Sequence, residues 1–187
     1  MTRFRTSLAA ALVAVATLSA PMVAQARESA AKITWRGKQA LHELEATEPR
    51  SRLFARHAKA IVVFPAIYKA GFVFGGESGD GVMLIDGHAA GFYNLSGGSF
   101  GFQAGVEKFG YVLFLMNDSA IRHMHQSGGF DIGTGPSVAI INTGAAAEAN
   151  STTLTKDIYA FPFSEKGLMA DLTLQGTKIS AIHPRGD

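Results

Sequence analysis

Apolar or small residues recur at spacings of three and four between Ser29 and Thr47, at Ala30, Ile33, Gly37, Ala40, Leu41 and Leu44. That period predicts an amphipathic helix. Pro49 fits the first turn of a second helix reaching about Lys59. After Ala60 the pattern changes: apolar runs of five to eight residues, rich in Val, Ile, Phe and Tyr, are punctuated by glycine, as in Gly71–Gly76, Gly81–Asp86 and Gly91–Ser96. Such runs predict short strands and tight turns. Phe100, Phe102, Ala104 and Val106 alternate with Gly101, Gln103, Gly105 and Glu107, as in a strand with one apolar face. Further strands are expected at Tyr111–Met116, Ser137–Asn142, Ile158–Phe163, Asp171–Leu174 and Lys178–Ile182, and a short helix at Asp118–Gln126 with Asp118 as N-cap.

Two helices followed by eight or nine short strands predict an α+β fold. Its antiparallel sheet should be strongly curved or barrel-like, because an open sheet of that width leaves two exposed edges, and the N-terminal helices should pack on it. No fixed-period repeat or low-complexity linker divides the chain after residue 26, so residues 27–187 are expected to form one domain.

The first 26 residues read differently. Arg3 and Arg5 precede an apolar run from Leu8 to Ala20, and Ala24-Gln25-Ala26 is a small-x-small cleavage signal. This is the pattern of a secretory signal peptide, which makes residues 27–187 an exported protein of the periplasm, soluble or peripheral to a membrane. Removing that segment removes Arg3 and Arg5 and no acid, leaving fifteen basic against fifteen acidic side chains. A nucleic-acid binder would carry a positive excess over its whole domain, so that class is set aside. The absence of Cys removes disulfides, thiolate chemistry and a lipobox anchor.

Motifs that could carry chemistry are weak. Gly97-Gly98-Ser99-Phe100-Gly101 has the spacing of a nucleophile elbow, and Asp131 or Asp157 followed by His183 would complete a hydrolase triad in chain order. An elbow needs a strand-to-helix turn, whereas Phe100 onward alternates as a strand. The six histidines are scattered, and His123 and His125 lie two apart, where helical side chains diverge, so no metal site is expected. Gly75 to Gly81 lacks the ending of a P-loop and the ligands of an EF-hand, and reads as a hairpin turn. No catalytic residue or cofactor is therefore assigned.

Charge is distributed more tellingly. No acid occurs between Glu48 and Glu77, yet Arg50, Arg52, Arg56, Lys59 and Lys69 all lie there. At about 100° per residue, Arg52, Arg56 and Lys59 share a wedge of roughly 60° on the second helix, with Phe54, Ala58 and Ile61 on the other side. On the first helix Trp35 projects about 200° from Ile33, opposite the apolar stripe and beside Lys32, Lys38 and His42. An indole on a basic face resembles an interfacial membrane anchor. Each Lys or Arg at an anionic bilayer contributes about 1 kcal/mol, so four or five give on the order of a thousandfold partitioning, reversible and screened by salt.

Several longer runs resemble one known family. Ala58-Lys59-Ala60-Ile61-Val62-Val63-Phe64-Pro65, then Lys69-Ala70-Gly71-Phe72 and Gly75-Gly76, are similar to the opening of the SYLF domain. Ser99-Phe100-Gly101-Phe102-Gln103-Ala104-Gly105, and Lys166-Gly167-Leu168-Met169-Ala170 through Gly176-Thr177-Lys178-Ile179, resemble its later signatures in the same order. The resemblance implies a lipid-binding module: eukaryotic members bind phosphoinositides, some bind actin, and bacterial members are exported. It also implies membrane contact through an N-terminal amphipathic segment with nearby basic residues, a region that here holds Trp35, Lys38, Arg52, Arg56, Lys59 and Lys69. Without an SH3 or FYVE module and with an export signal, the expected ligand is an anionic bacterial phospholipid or membrane surface. The alternatives are an outer-membrane barrel, a serine hydrolase using Ser99, and a module that binds a protein partner.

Overall fold

The computed structural model describes residues 28–71, 74–100, 105–126, 129–132, 134–142, 154–164, 167–168 and 176–185. The expected signal peptide and the expected strand at Asp171–Leu174 lie outside these residues, as does most of the alternation after Phe100.

The first helix, α1 (Ala30–Thr47), starts where the Ser29 side chain accepts the Lys32 N–H at 3.3 Å, and buries Ile33, Gly37, Ala40 and Leu44. The second, α2 (Ser51–His57), is shorter than expected, and Pro49 precedes it rather than occupying its first turn. It cannot reach Lys59, because the Lys59 N–H is already bonded to Leu115 O at 2.8 Å and the chain enters the sheet at Ala60.

The sheet comprises β1 (Ala60–Gly71), β2 (Phe74–Ile85), β3 (His88–Phe100), β4 (Gly105–Leu115), β5 (Phe130–Asp131), β6 (Val138–Ile140), β7 (Ile158–Ser164), β8 (Gly167–Leu168) and β9 (Thr177–Ile182). Among the described residues these form one sheet in the order β5-β9-β3-β2-β1-β4-β7-β6, with β8 paired to β7, curled into a half-barrel. Between β4 and β5 runs α3 (Asp118–Met124). The α+β fold with helices on a strongly curved sheet is thus as expected from the sequence.

Three details differ from expectation. The sheet is mixed, because β6 runs parallel to β7. The first four strands are long, from 11 to 13 residues, because the glycine-rich runs lie within strands rather than between them. Gly75 to Gly81 is accordingly the middle of β2, and the true turn is Asp86-Gly87, whose φ angles of 50° and 75° suit the two-residue hairpin joining β2 to β3. Finally, Asn117 caps α3, its Oδ1 accepting the Ala120 N–H at 3.0 Å, with Asp118 in the first turn.

The glycines inside β2 and β4 have a local cause. In β1, Phe64 pairs with Tyr111 and Ile67 with Phe109, so Pro65 and Ala66 together face Gly110 alone. This bulge presses on both neighbouring strands. A Cβ at Gly81 would lie 2.5 Å from the Phe64 ring, and one at Gly110 would lie 2.5 Å from Phe163 Cζ. Small residues on either side let β1 bend, and the sheet curls there.

Two apolar clusters result. Val62, Phe64 and Ile67 of β1 join Tyr93, Leu95, Tyr111, Leu113, Ile179 and Met124 on the inner face, under α3. Val63, Val112, Phe114 and Phe161 form the outer-face cluster with Ile33 and Leu44 of α1 and Phe54 of α2. The first four strands are long enough for a membrane barrel, yet the middle of β1 and β4 is covered by protein on both faces rather than presenting an apolar band outward. Among the described residues no helix is long and apolar enough to cross a membrane.

Candidate functional site

The helices leave part of the outer face uncovered. On β4 the outward positions are Val106, Lys108 and Gly110, followed by the helix-covered Val112 and Phe114; on β1 the bulge turns Tyr68 and Ala70 to the same side. Tyr68 pairs directly with Lys108, and Ala70 with Val106. Val106 is 73% exposed, Tyr68 52% and Trp35 63%, three of the four large apolar side chains exposed among the described residues. Apolar side chains exposed singly need no explanation, but a contiguous exposed patch marks a contact surface.

Trp35 is joined to this shelf by a groove of about 520 Å³ between α1 and the sheet. Trp35, Arg36, Gln39 and Glu43 form its helical wall, Pro65, Phe109, Gly110 and Phe163 line its sheet side, and Lys108 links it to Tyr68. The groove lies over the β1 bulge, where the Phe163 ring takes up the space that Gly110 leaves. Its size falls within the range of roughly 300–1,000 Å³ common for small-molecule sites.

Arg36 is held in place by Glu28, whose two oxygens accept from Nη1 at 2.7 and 2.9 Å, while Lys32 Nζ lies 3.2 Å from the same carboxylate. Partial burial pushes the Glu28 carboxyl up, but the hydrogen bonds from Arg36 and Lys32 outweigh it and the pKa is lowered. The pair therefore stays ionised at neutral pH.

The six residues expected at the site are dispersed. Trp35 and Lys38 are exposed on α1, and Arg52 and Arg56 are exposed on α2. Arg52 makes a long contact of 3.9 Å to Glu45, while Arg56 and Lys38 have no ion pair among the described residues. Glu45 is ten residues from Trp35, roughly 15 Å along the helix, so Arg52 on α2 meets α1 well away from the indole. Lys59 lies beyond α2 and is committed to Asp118, with Nζ 2.7 Å from Oδ2. Lys69 faces inward, in register with Glu77 on β2 and Glu107 on β4. Burial raises the Glu77 carboxyl, an effect the nearby Lys69 opposes.

Periodicity missed Tyr68, Val106, Arg36 and Lys108. Strict alternation from Phe64 turns Tyr68 inward and Lys69 outward, and the bulge reverses both. The Pro65-Ala66 pair before Ile67 was the available signal, since proline inside a strand run marks an edge or a bulge.

Other candidate chemistry does not assemble. Ser99 lies in β3, paired with Gly75, and the next element in the fold is β4, not the helix that an elbow requires. Asp157 is occupied by Asn117 and Ser137, with bonds of 2.6 to 2.8 Å. Among the described residues no group of three His, Cys, Asp or Glu side chains converges on one point.

The outer face thus presents an exposed aromatic and aliphatic shelf, a groove beside it and cations at the rim, an arrangement suited to binding. Comparison with known proteins agrees with that class. Residues 96–183 match the family model described as "Ysc84: Las17-binding protein actin regulator". Protein YSC84 of Saccharomyces cerevisiae is 32% identical over 131 residues, which are 66% of this chain and 28% of the yeast protein. LAS seventeen-binding protein 3 of the same yeast is 30% identical over 131 residues, with the same coverage. The chain thus spans little more than a quarter of the length of these relatives.

Proposed function

The chain belongs to the SYLF (Ysc84) domain family, and from that premise we propose that it is a peripheral, non-catalytic phospholipid-binding protein of the bacterial envelope, exported to the periplasm. The observation that carries this reading is the joint exposure of Trp35, Tyr68 and Val106 on one continuous outer surface. Trp and Tyr settle at the headgroup level of a bilayer, where the ring meets hydrocarbon and its polar edge meets water. Lys108 stands beside Tyr68, and beside Trp35 two cations, Arg36 and Lys32, share the single carboxylate of Glu28, which leaves that end of the surface net positive. Arg52, Arg56 and Lys38, farther along the helices, add long-range attraction to an anionic surface without needing to touch it.

Co-sedimentation with phosphatidylglycerol vesicles tests the reading. Wild-type protein should pellet with them and stay in solution with phosphatidylcholine vesicles at the same salt. Pelleting indifferent to lipid charge, or none, contradicts it.

One observation favours a second reading. The relatives' names describe the binding of a protein, Las17, and an exposed aromatic shelf suits a protein partner as well. That account predicts no partition into pure lipid vesicles, so the same experiment separates the two.

A further inference from the structure

We propose that the groove beside Trp35 takes the hydrocarbon chain of a single anionic amphiphile, with the headgroup at the rim by Arg36 and Lys108. This rests on the phospholipid reading and gives it a site for one lipid molecule rather than a surface alone.

The sheet side of the groove is largely apolar: Pro65 has no N–H, Gly110 has no side chain and Phe163 presents its ring, while Lys108 and Ser164 supply its polar positions. A fully polar ligand would leave hydrogen bonds unmet against Pro65 and Phe163. The rim is charged unevenly. Arg36 is oriented by Glu28 through Nη1 alone, so its Nε and Nη2 donors have no protein partner among the described residues. Glu43 lies seven residues further on, roughly 10 Å along the helix, and disfavours a second anion there. The charges therefore set a direction, with the headgroup near Arg36 and the chain running beneath Gln39. The indole edge closes the mouth, and the exposed shelf of Tyr68 and Val106 lies beside it, where a lipid leaving a bilayer would pass.

The sequence contains a single Trp, so in the absence of vesicles a ligand-induced change in its emission reports on the mouth of this groove. The probe is lauroyl-lysophosphatidylglycerol below its micelle concentration, with dodecyl maltoside as an uncharged chain of the same length. The expected result is a saturable blue shift of Trp35 emission and one bound molecule by native mass spectrometry. Gln39→Phe, which fills the groove from the solvent side of α1, should weaken binding of both probes at least tenfold. Arg36→Gln should weaken only the charged one. No saturable shift in the wild type, or undiminished binding by a Gln39→Phe protein with unchanged far-UV dichroism, overturns the proposal.

Pelleting with phosphatidylglycerol vesicles, measured alongside, keeps the two readings apart. Pelleting without monomer binding removes the groove and leaves the surface. Monomer binding without pelleting leaves the groove and removes the membrane surface.

Discussion

Lys59 Nζ lies 2.7 Å from Asp118 Oδ2, tying the start of β1 to the first turn of α3. Its charge is compensated on the spot, whereas Arg52 has only the long 3.9 Å contact to Glu45 and Arg56 has no ion pair among the described residues. Reversing both arginines to Glu should lower partition onto phosphatidylglycerol vesicles at least tenfold at low salt, since each cation near an anionic surface is worth about 1 kcal/mol. Lys59→Ala should change it far less, and Asp118→Asn, which releases the lysine, should raise it. Co-sedimentation across a salt series checks all three.

Asp157 holds three elements together. It accepts from Asn117 Nδ2, the Ser137 N–H and Ser137 Oγ, and Asn117 in turn caps α3. The hydrogen bonds from Ser137 and Asn117 hold its carboxyl below the usual range. A depressed folded-state pKa contributes stability above the unfolded value of about 3.9, and that contribution is lost as pH falls through the folded value. Asp157→Asn should therefore destabilise the protein at neutral pH, with the difference from wild type shrinking below about pH 4. Asn117→Ala should cost about 1 kcal/mol through the lost cap, plus a part from the lost bond to Asp157 that fades as pH falls below about 4. Chemical denaturation at several pH values measures both.

The β1 bulge is packed against residues that cannot grow. At Gly81 an added Cβ meets the Phe64 ring and Val63 O at 2.5 Å, and at Gly110 it meets the Phe163 ring and, at 2.9 Å, Phe64 O. Where backbone oxygen is the obstacle, the neighbour cannot simply rotate away. Gly81→Val and Gly110→Val should each destabilise by about 1–3 kcal/mol or more, the usual range for overpacking. A lowered Tm of each variant would show it, and a Tm equal to wild type would mean that the bulge yields.

Local pattern carried the sequence reading as far as it stayed regular. The stripe Ile33, Gly37, Ala40 and Leu44 is the buried face of α1, and the projection of Trp35 away from it follows from the same period. The α+β fold and a strongly curved sheet were legible from the change of pattern after Ala60. Strand lengths were not, because glycine reads as punctuation until the bulge it accommodates is known. The site suffered most from that bulge: one extra residue in β1 exchanged Tyr68 for Lys69 on the outer face. Lys59 was misleading for another reason. A helical wheel extended past His57 places it beside Arg52 and Arg56, whereas a backbone bond to Leu115 ends that geometry and Asp118, far along the chain, takes the charge.

Insertion of the exposed shelf is the central claim, and Trp35 reports it directly. An aromatic side chain buries about 150–250 Å², so covering the exposed part of the indole at about 25 cal/mol per Å² contributes roughly 2–4 kcal/mol. Emission from Trp35 should shift to the blue on adding phosphatidylglycerol vesicles and be quenched by lipids brominated near the headgroup end of their chains. In the Tyr68→Ser, Val106→Ser double variant, vesicle affinity should fall at least tenfold. An emission spectrum unmoved by vesicles that nevertheless pellet the protein would contradict the account, because the bilayer would then be touching some other face.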